Sequence, residues 1–376
     1  MSKGTRNVPA LRFKGFSDAW EKRKFGELYK PNKERNESAE FSSENTLSIA
    51  TMTVNRKGNG AAKTSLLKYK VIRIGDIAFE GHTSKKFAFG RFVLNDVADG
   101  IMSPRFTCLR PIHRQIIQFW KQYIHYEPIL RPILIRSTKL GTMMNELVVP
   151  DLLKQNIRVP SINEQKLIGK SLSRVDDLIA ATQGKLDNLE KIKRALLKHL
   201  FDQSMRFRGY SDPWEKRKLG EISDIRGGGT PSTSKPEYWD GEIDWYAPAE
   251  IGTQRYVSGS RRQITNLGLN KSSATMLPAN KTILFTSRAG IGNAAILTKS
   301  GATNQGFQSI VVEPATDVYF LYSEIPEIKR KAIRLAAGST FLEISGKSLS
   351  KIQIWLPSFK EQSRIGHLFL QIDNLI

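Results

Sequence analysis

The sequence predicts an α+β protein in which two tandem domains of mixed helix and strand are separated by long helices that pair as an antiparallel coiled coil. Three observations carry that prediction. A stretch in the middle of the chain is patterned in heptads, its opening recurs near the C-terminal end, and the segment that opens the chain recurs just after the heptads. The implied layout is a first domain over 1–160, a central helix over 161–203, a second domain over 204–356 and a second helix, shortened, over 357–376.

The central helix rests on spacing. Apolar residues fall at Ile168, Leu172, Val175, Ile179, Leu186, Leu189, Leu196 and Leu200, with Thr182 and Lys193 in the two remaining slots. Steps that alternate four and three form a seam that lies along another helix. Pro160 precedes it, and Ser161 with Glu164 makes a capping box. At 1.5 Å per residue such a helix is roughly 60 Å long, which suits a spacer better than a small core. Pro160-Ser161-Ile162-Asn163-Glu164-Gln165 returns as Pro357-Ser358-Phe359-Lys360-Glu361-Gln362, and the seam returns as Ile365, Phe369, Ile372 and Ile376. The second helix is therefore expected in its first half only.

Each domain begins alike. Leu11 to Leu28 and Met205 to Ile222 agree at nearly every position, through Arg-Phe-x-Gly-Phe/Tyr-Ser-Asp-x-Trp and Glu-Lys-Arg-Lys. Such agreement marks a duplication. Trp20 and Trp214 are expected to be buried anchors rather than surfaces for stacking bases, and the basic runs to be solvated. Between the anchors the halves diverge. In the first, strands are expected within 46–50, 71–79, 87–94 and 106–109, a Gly58-Asn59-Gly60 turn, and a helix from Gln115 to Tyr126 ended by Pro128. In the second, Gly227-Gly228-Gly229-Thr230-Pro231 is a loop, strands are expected within 243–246, 282–286, 294–297 and 309–312, and a helix from Tyr319 to Leu335. Apolar and glycine positions still match, as in Ile77-Ala78-Phe79 with Ile283-Leu284-Phe285 and 141–147 with 338–344. A shared scaffold with unlike loops is the natural inference.

The formal net charge of +22 points to a polyanionic partner. The central stretch holds eight Lys/Arg against six Asp/Glu, so nearly all the excess lies in the flanking domains. The single cysteine, Cys108, excludes a disulfide framework and a cysteine-rich zinc site. No apolar run resembles a signal peptide or a membrane span, so a cytoplasmic setting is expected.

Catalytic look-alikes do not hold. Gly290-Ile291-Gly292-Asn293-Ala294-Ala295 fits a dinucleotide fingerprint, yet Ala294 to Thr298 reads as a strand where a helix is required, and a β-turn presenting Arg288 is preferred. Ser211-Asp212-Pro213-Trp214 lacks the second proline of an adenine methyltransferase loop, and its twin carries Ala19. Pro150-Asp151 with Lys154 lacks the second acid of a nuclease core. His82, His113, His125, His199 and His367 are scattered without ligand spacing. No catalytic residue, metal site or cofactor is expected on this chain.

The repeated openings, the Pro-Ser-x-x-Glu-Gln helix starts, Gly228-Gly229-Thr230-Pro231-Ser232, and Tyr238 to Trp245 together resemble the specificity subunit of type I restriction–modification enzymes. The resemblance covers the whole chain save the end of the second helix. It implies two target-recognition domains, each reading one half of a split, asymmetric DNA sequence, and conserved helices that set the distance between them. It implies docking of modification subunits, two in number, which bring S-adenosylmethionine, and of restriction subunits that translocate and cut. A stand-alone methyltransferase or nuclease, or a coiled-coil scaffold that ignores DNA, are the alternatives. The first lacks its motifs and the second leaves the basic excess unexplained.

For base reading, Arg or Lys suits guanine and Asn or Gln suits adenine, while Lys, Arg, Ser and Thr position the phosphates. The candidates in the divergent loops are Arg56, Lys57, Asn59, Lys85, Lys86 and Arg105 in the first domain. In the second they are Arg226, Thr230, Ser232, Lys235, Arg255, Arg261, Arg262, Arg288, Asn304 and Gln305.

Overall fold

A computed structural model describes residues 11–58, 60–337 and 342–376. It divides into two compact units that meet within the central helix, one ending at Thr182 and the other beginning at Gln183. Asn59 and Gly338 to Phe341, which the sequence placed in a turn and in the shared scaffold, lie outside the described residues, as does the segment before Leu11.

Unit 1 starts with β1 (Glu21–Lys24) and β2 (Tyr29–Pro31). Strands β3 (Ile77–Glu80), β4 (Arg91–Leu94) and β5 (Thr107–Pro111) join β2 in an antiparallel sheet of order β2-β5-β3-β4. Helices α1 (Ile117–Tyr123) and α2 (Glu127–Ile135) cover it, and Phe25, Tyr29, Phe92, Phe119 and Trp120 fill the core between. The helix expected over 115–126 is α1, and α2 follows it as a second helix that the sequence reading missed. Pro128 does not end one helix but occupies the first turn of the next, where its missing N–H has no partner to lose. A short helix α3 (Val149–Lys154), which the sequence reading missed, and strand β6 (Asn156–Val159) complete the unit. The stretch 71–79 also splits, because Arg73 to Asp76 turns between Lys70–Ile72 and β3.

The helix α4 (Ile162–Phe201) is continuous over 40 residues. Past the unit boundary, β7 (Glu215–Lys218), β8 (Ser223–Gly227), β9 (Trp239–Tyr246), β10 (Tyr256–Val257), β11 (Arg262–Ile264), β12 (Thr282–Phe285), β13 (Ala294–Leu297), β14 (Gly301–Thr303) and β15 (Gln308–Val312) come in order. All but β7 build two sheets. One is five-stranded, β8-β15-β12-β13-β10, and the other three-stranded, β11-β9-β14. The helix expected over 319–335 is broken into α5 (Val318–Ser323) and α6 (Ile325–Leu335), since Pro326 opens the second piece. Strand β16 (Gln353–Leu356) leads into α7 (Phe359–Leu375).

The two units close in the same way. The Glu-Lys-Arg-Lys strand pairs antiparallel with the last strand before each long helix, β1 with β6 and β7 with β16. These strands are mostly exposed, and Arg23 and Arg217 are partly neutralised by Glu27 at 2.9 Å and Glu221 at 3.1 Å.

In unit 2, α7 runs antiparallel to the last turns of α4. Lys193 Nζ donates to Asp373 Oδ1 at 2.5 Å, while Phe201 stacks on Phe369 with centroids 6.1 Å apart. Leu196 and Leu200 join Ile365, Phe369 and Ile372 in one core. The slot that reads as polar in the seam, Lys193, is therefore an ion pair with a buried carboxylate. Leu186 and Leu189 are half-buried. In unit 1, Ile168 packs on the core, whereas Leu172, Val175 and Ile179 stand 40%, 51% and 62% exposed. Ile376 is 45% exposed.

Candidate nucleic-acid interface

The frame that carries the divergent loops is held by the repeated motifs. Arg12 donates from Nε and Nη2 to the two oxygens of Glu164 at 2.8 and 2.6 Å, and Arg206 makes the same fork to Glu361 at 3.0 and 2.6 Å. Both arginines also donate to the carbonyl of the Asp before the tryptophan, Asp18 and Asp212. Gln165 and Gln362 donate back to the carbonyls of Pro160 and Pro357, each at 2.9 Å. So Arg, Glu and Gln of the repeated segments form one clasp at the start of each long helix. Trp20 packs edge-on against Tyr123, and Trp214 against Phe201 and Phe320, in the cores. Both indole N–H groups are buried without a partner among the described residues, as befits anchors rather than stacking surfaces.

On this frame unit 2 presents a loop clamped by two tryptophans. Trp245 Nε1 donates to the Gly229 carbonyl at 2.8 Å and Trp239 Nε1 to the Ser232 carbonyl at 3.1 Å. Gly229 N–H donates to the Thr303 carbonyl at 2.9 Å, and a Cβ on Gly228 would collide with the Thr303 and Asn304 carbonyls. Only glycine allows the loop to lie that close. The Thr230 hydroxyl bonds the Gln305 amide oxygen, and Asn304 is turned inward to accept Gly306 N–H at 2.8 Å. Arg262 lies opposite Trp245 on the neighbouring strand, with its guanidinium carbon 3.6 Å from the Trp239 ring centre. Thr230, Ser232, Arg262 and Gln305 are exposed and share this one assembly.

The other candidates of this unit make different contacts. Arg226 is tied to Asp224 at 2.7 Å and to the Met276 carbonyl at 3.2 Å. Arg255 is tied to Asn374 at 3.0 Å and Tyr319 at 3.4 Å. Lys235 is exposed, 4.0 Å from Glu237, and Arg261 is exposed next to Arg262 in the chain. Arg288 is half-buried in the turn between β12 and β13, where Ala289 has φ +53 and Thr286 Oγ1 donates to the Gly290 carbonyl at 2.6 Å. Because β13 is antiparallel to β12, no helix follows the glycines, and the arrangement a dinucleotide needs is absent there.

In unit 1, Arg56 and Lys57 cap an exposed turn closed by Asn55 Nδ2 on the Gly58 carbonyl at 2.7 Å. Lys85 and Lys86 are exposed, and Lys86 sits 5.3 Å from the Phe87 ring. Arg105 lies 4.8 Å from the Phe106 ring. Asn59 is outside the described residues. In the same unit Asp76, 1% exposed, accepts Arg110 at 2.9 and 3.0 Å, and Arg73 and Arg110 share Glu34. The sequence reading missed this network; a buried Asp among arginines has no periodic signature. Burial pushes the Cys108 thiol up to about 12, so it stays protonated. Among the described residues, no three His, Cys, Asp or Glu side chains converge as metal ligands would.

The pattern of the type I restriction modification DNA specificity domain matches residues 17–191 and again residues 211–376. The chain belongs to that family. It carries two such specificity domains in tandem, and the curated proteins it is similar to are specificity subunits of type I restriction enzymes. It is 35% identical over 167 residues to the MjaIX specificity subunit of Methanocaldococcus jannaschii, covering 43% of this chain and 38% of that one. It is 28% identical over 227 residues to the EcoR124I/EcoR124II specificity subunit of Escherichia coli, covering 58% of this chain and 55% of that one. Against the putative MjaX specificity subunit of M. jannaschii identity is 26% over 336 residues, covering 83% and 74%. The chain thus spans well under two thirds of the first two relatives. In fold it is similar to the type I S subunit from M. genitalium, with a TM-score of 0.57 at 16% identity, over 98% of this chain and 92% of that one. A chain from a structure of type I complex assembly gives 0.50 at 18%, over 94% and 90%. Among the described residues, no helix is long and apolar enough to cross a membrane.

Proposed function

We propose that each specificity domain reads one half of a bipartite, asymmetric DNA target and that the long helices set the spacing between the halves. The observation that carries this reading is the doubled frame with unlike loops. The Arg-Glu-Gln clasp is the same at Arg12 and Arg206, while the loops on it share almost no polar residue. Identical frames with unlike loops suit two unlike half-sites.

The exposed seam residues of α4, Leu172, Val175 and Ile179, suit docking of the adenine-modifying subunits, two to each chain, with restriction subunits joining them. S-adenosylmethionine and the chemistry belong to those partners, and this chain steers them without catalysing a step. The +22 net charge supplies the sequence-independent attraction to the phosphate backbone. Mapping of methylated bases in cells with and without this chain tests the reading. A split, asymmetric motif that disappears with the chain is the expected outcome. A continuous motif, or methylation by the pure chain alone, would refute it.

A further inference from the structure

Arg262 differs from the arginines that hold unit 2 together. Arg206, Arg217, Arg226 and Arg255 all commit N–H groups to protein oxygens. Among the described residues, the Arg262 guanidinium makes no hydrogen bond and no ion pair; it only rests on indoles. A carbon 3.6 Å from the Trp239 ring centre is in contact with the face of that ring, and Trp245 lies 5.8 Å away. Stacking of this kind uses the flat face of the guanidinium and leaves its in-plane N–H fork open.

The platform is rigid. Trp239 and Trp245 are 7% and 5% exposed, meet edge-on at 5.1 Å and 89°, and are each pinned by an indole N–H on the Gly229–Ser232 loop. Arg262 is in cross-strand register with Trp245, so both side chains leave the same face of the sheet. The ordering that a long side chain must undergo on binding is therefore met in part by folding. Guanine offers two acceptors, O6 and N7, on its major-groove edge, and a planar fork with two parallel N–H groups matches both.

We propose that Arg262 is a specificity-determining residue of the second domain, reading one guanine of its half-site in the major groove by a bidentate hydrogen bond, with Trp239 and Trp245 as its platform. This rests on the DNA-reading function proposed above. A phosphate would also accept the fork, and the test separates the two.

The full chain, assembled with its modification subunit, is titrated with duplexes carrying the mapped motif and every base change within the second domain's half-site, at several salt concentrations. Wild type is compared with Arg262→Lys, which keeps the charge on the indoles but loses the fork, and with Arg262→Ala. Arg262→Ala is expected to lose discrimination at a single G·C position, by roughly 10- to 100-fold, with other positions unaltered, and Arg262→Lys, whose ammonium still donates but without the planar fork, to lose a smaller part at that same position. Replacing that guanine by 7-deazaguanine should weaken wild type and leave Arg262→Ala unmoved. Uniform weakening on all sequences, with a shallower salt dependence, would make Arg262 a phosphate contact and overturn the proposal. An unaltered profile in both variants would overturn it too. Failure of the wild-type assembly to prefer any sequence would instead sink the DNA-reading function beneath it.

Discussion

At the scale of residues, the repeated motifs are explained by what they hold. Glu361 is 1% exposed at the first turn of α7, so its charge needs both N–H groups of Arg206. Removing either partner should leave the other unsatisfied, whereas removing both should cost less than the sum. A double-mutant cycle on Arg206→Ala and Glu361→Ala, followed by denaturant unfolding, is expected to give a coupling energy on the order of 1 kcal/mol or more. Gly169 and Gly366, at matching places on the two long helices, are fixed by packing. A Cβ there would approach Phe119 N at 2.7 Å and Asp317 Oδ1 at 2.5 Å. Glu324 behaves differently. Burial pushes its carboxyl up to about 7, against the pull of Lys331 and with the push of Glu327. Its folded value lies above its unfolded one, so the folded state binds the proton more tightly between them. Its contribution is favourable below about 4.5 and declines as pH rises through 7. Glu324→Gln should therefore flatten the fall in stability over that window and raise the melting temperature at pH 8; a pH series of thermal melts checks it.

At the scale of elements, one seam has two fates. Phe369 and Leu172 occupy matching heptad positions, yet Phe369 is 0% exposed against α4 and α5 while Leu172 is 40% exposed. Phe369→Ala should cost about 3–5 kcal/mol through cavity formation. Leu172→Ala should cost less than about 1 kcal/mol in the isolated chain, as for a surface position. Urea unfolding of the two variants compares them directly. The helix starts obey the same kind of local rule. Pro128 and Pro326 lack an N–H, so each sits in the first turn of a new helix, at Pro128 where the sequence suggested only an end and at Pro326 where it suggested continuation.

At the scale of the molecule, modularity and length are the properties to test. Replacing 223–356 by the same region of a relative should alter one half of the methylated motif and spare the other; a change in both would refute modular reading. Inserting one heptad after Thr182 keeps the seam in phase and lengthens α4 by about 10 Å, the rise of about three base pairs. The spacer between half-sites is expected to grow by about that amount, read from the same methylation map. An unaltered spacer would mean that the helix is not the ruler.

The sequence by itself determined the duplication and the long helix, because these depend on repetition and periodicity, which are local, whereas the Glu164 carboxylate expected to close a capping box is taken by Arg12. Trp20 and Trp214 were legible as anchors because both copies keep them while the loops change. Only the tertiary structure decided how the motifs meet. The Arg206–Glu361 clasp joins residues 155 apart, and the Lys193–Asp373 pair turns a polar gap in the seam into a buried contact. It also sorted the loop candidates, tying Arg226 and Arg255 to oxygens of neighbouring side chains and leaving Arg262 on its indole platform. Which arginine is free depends on whether a distant chain segment brings it an oxygen, and no pattern along the chain encodes that.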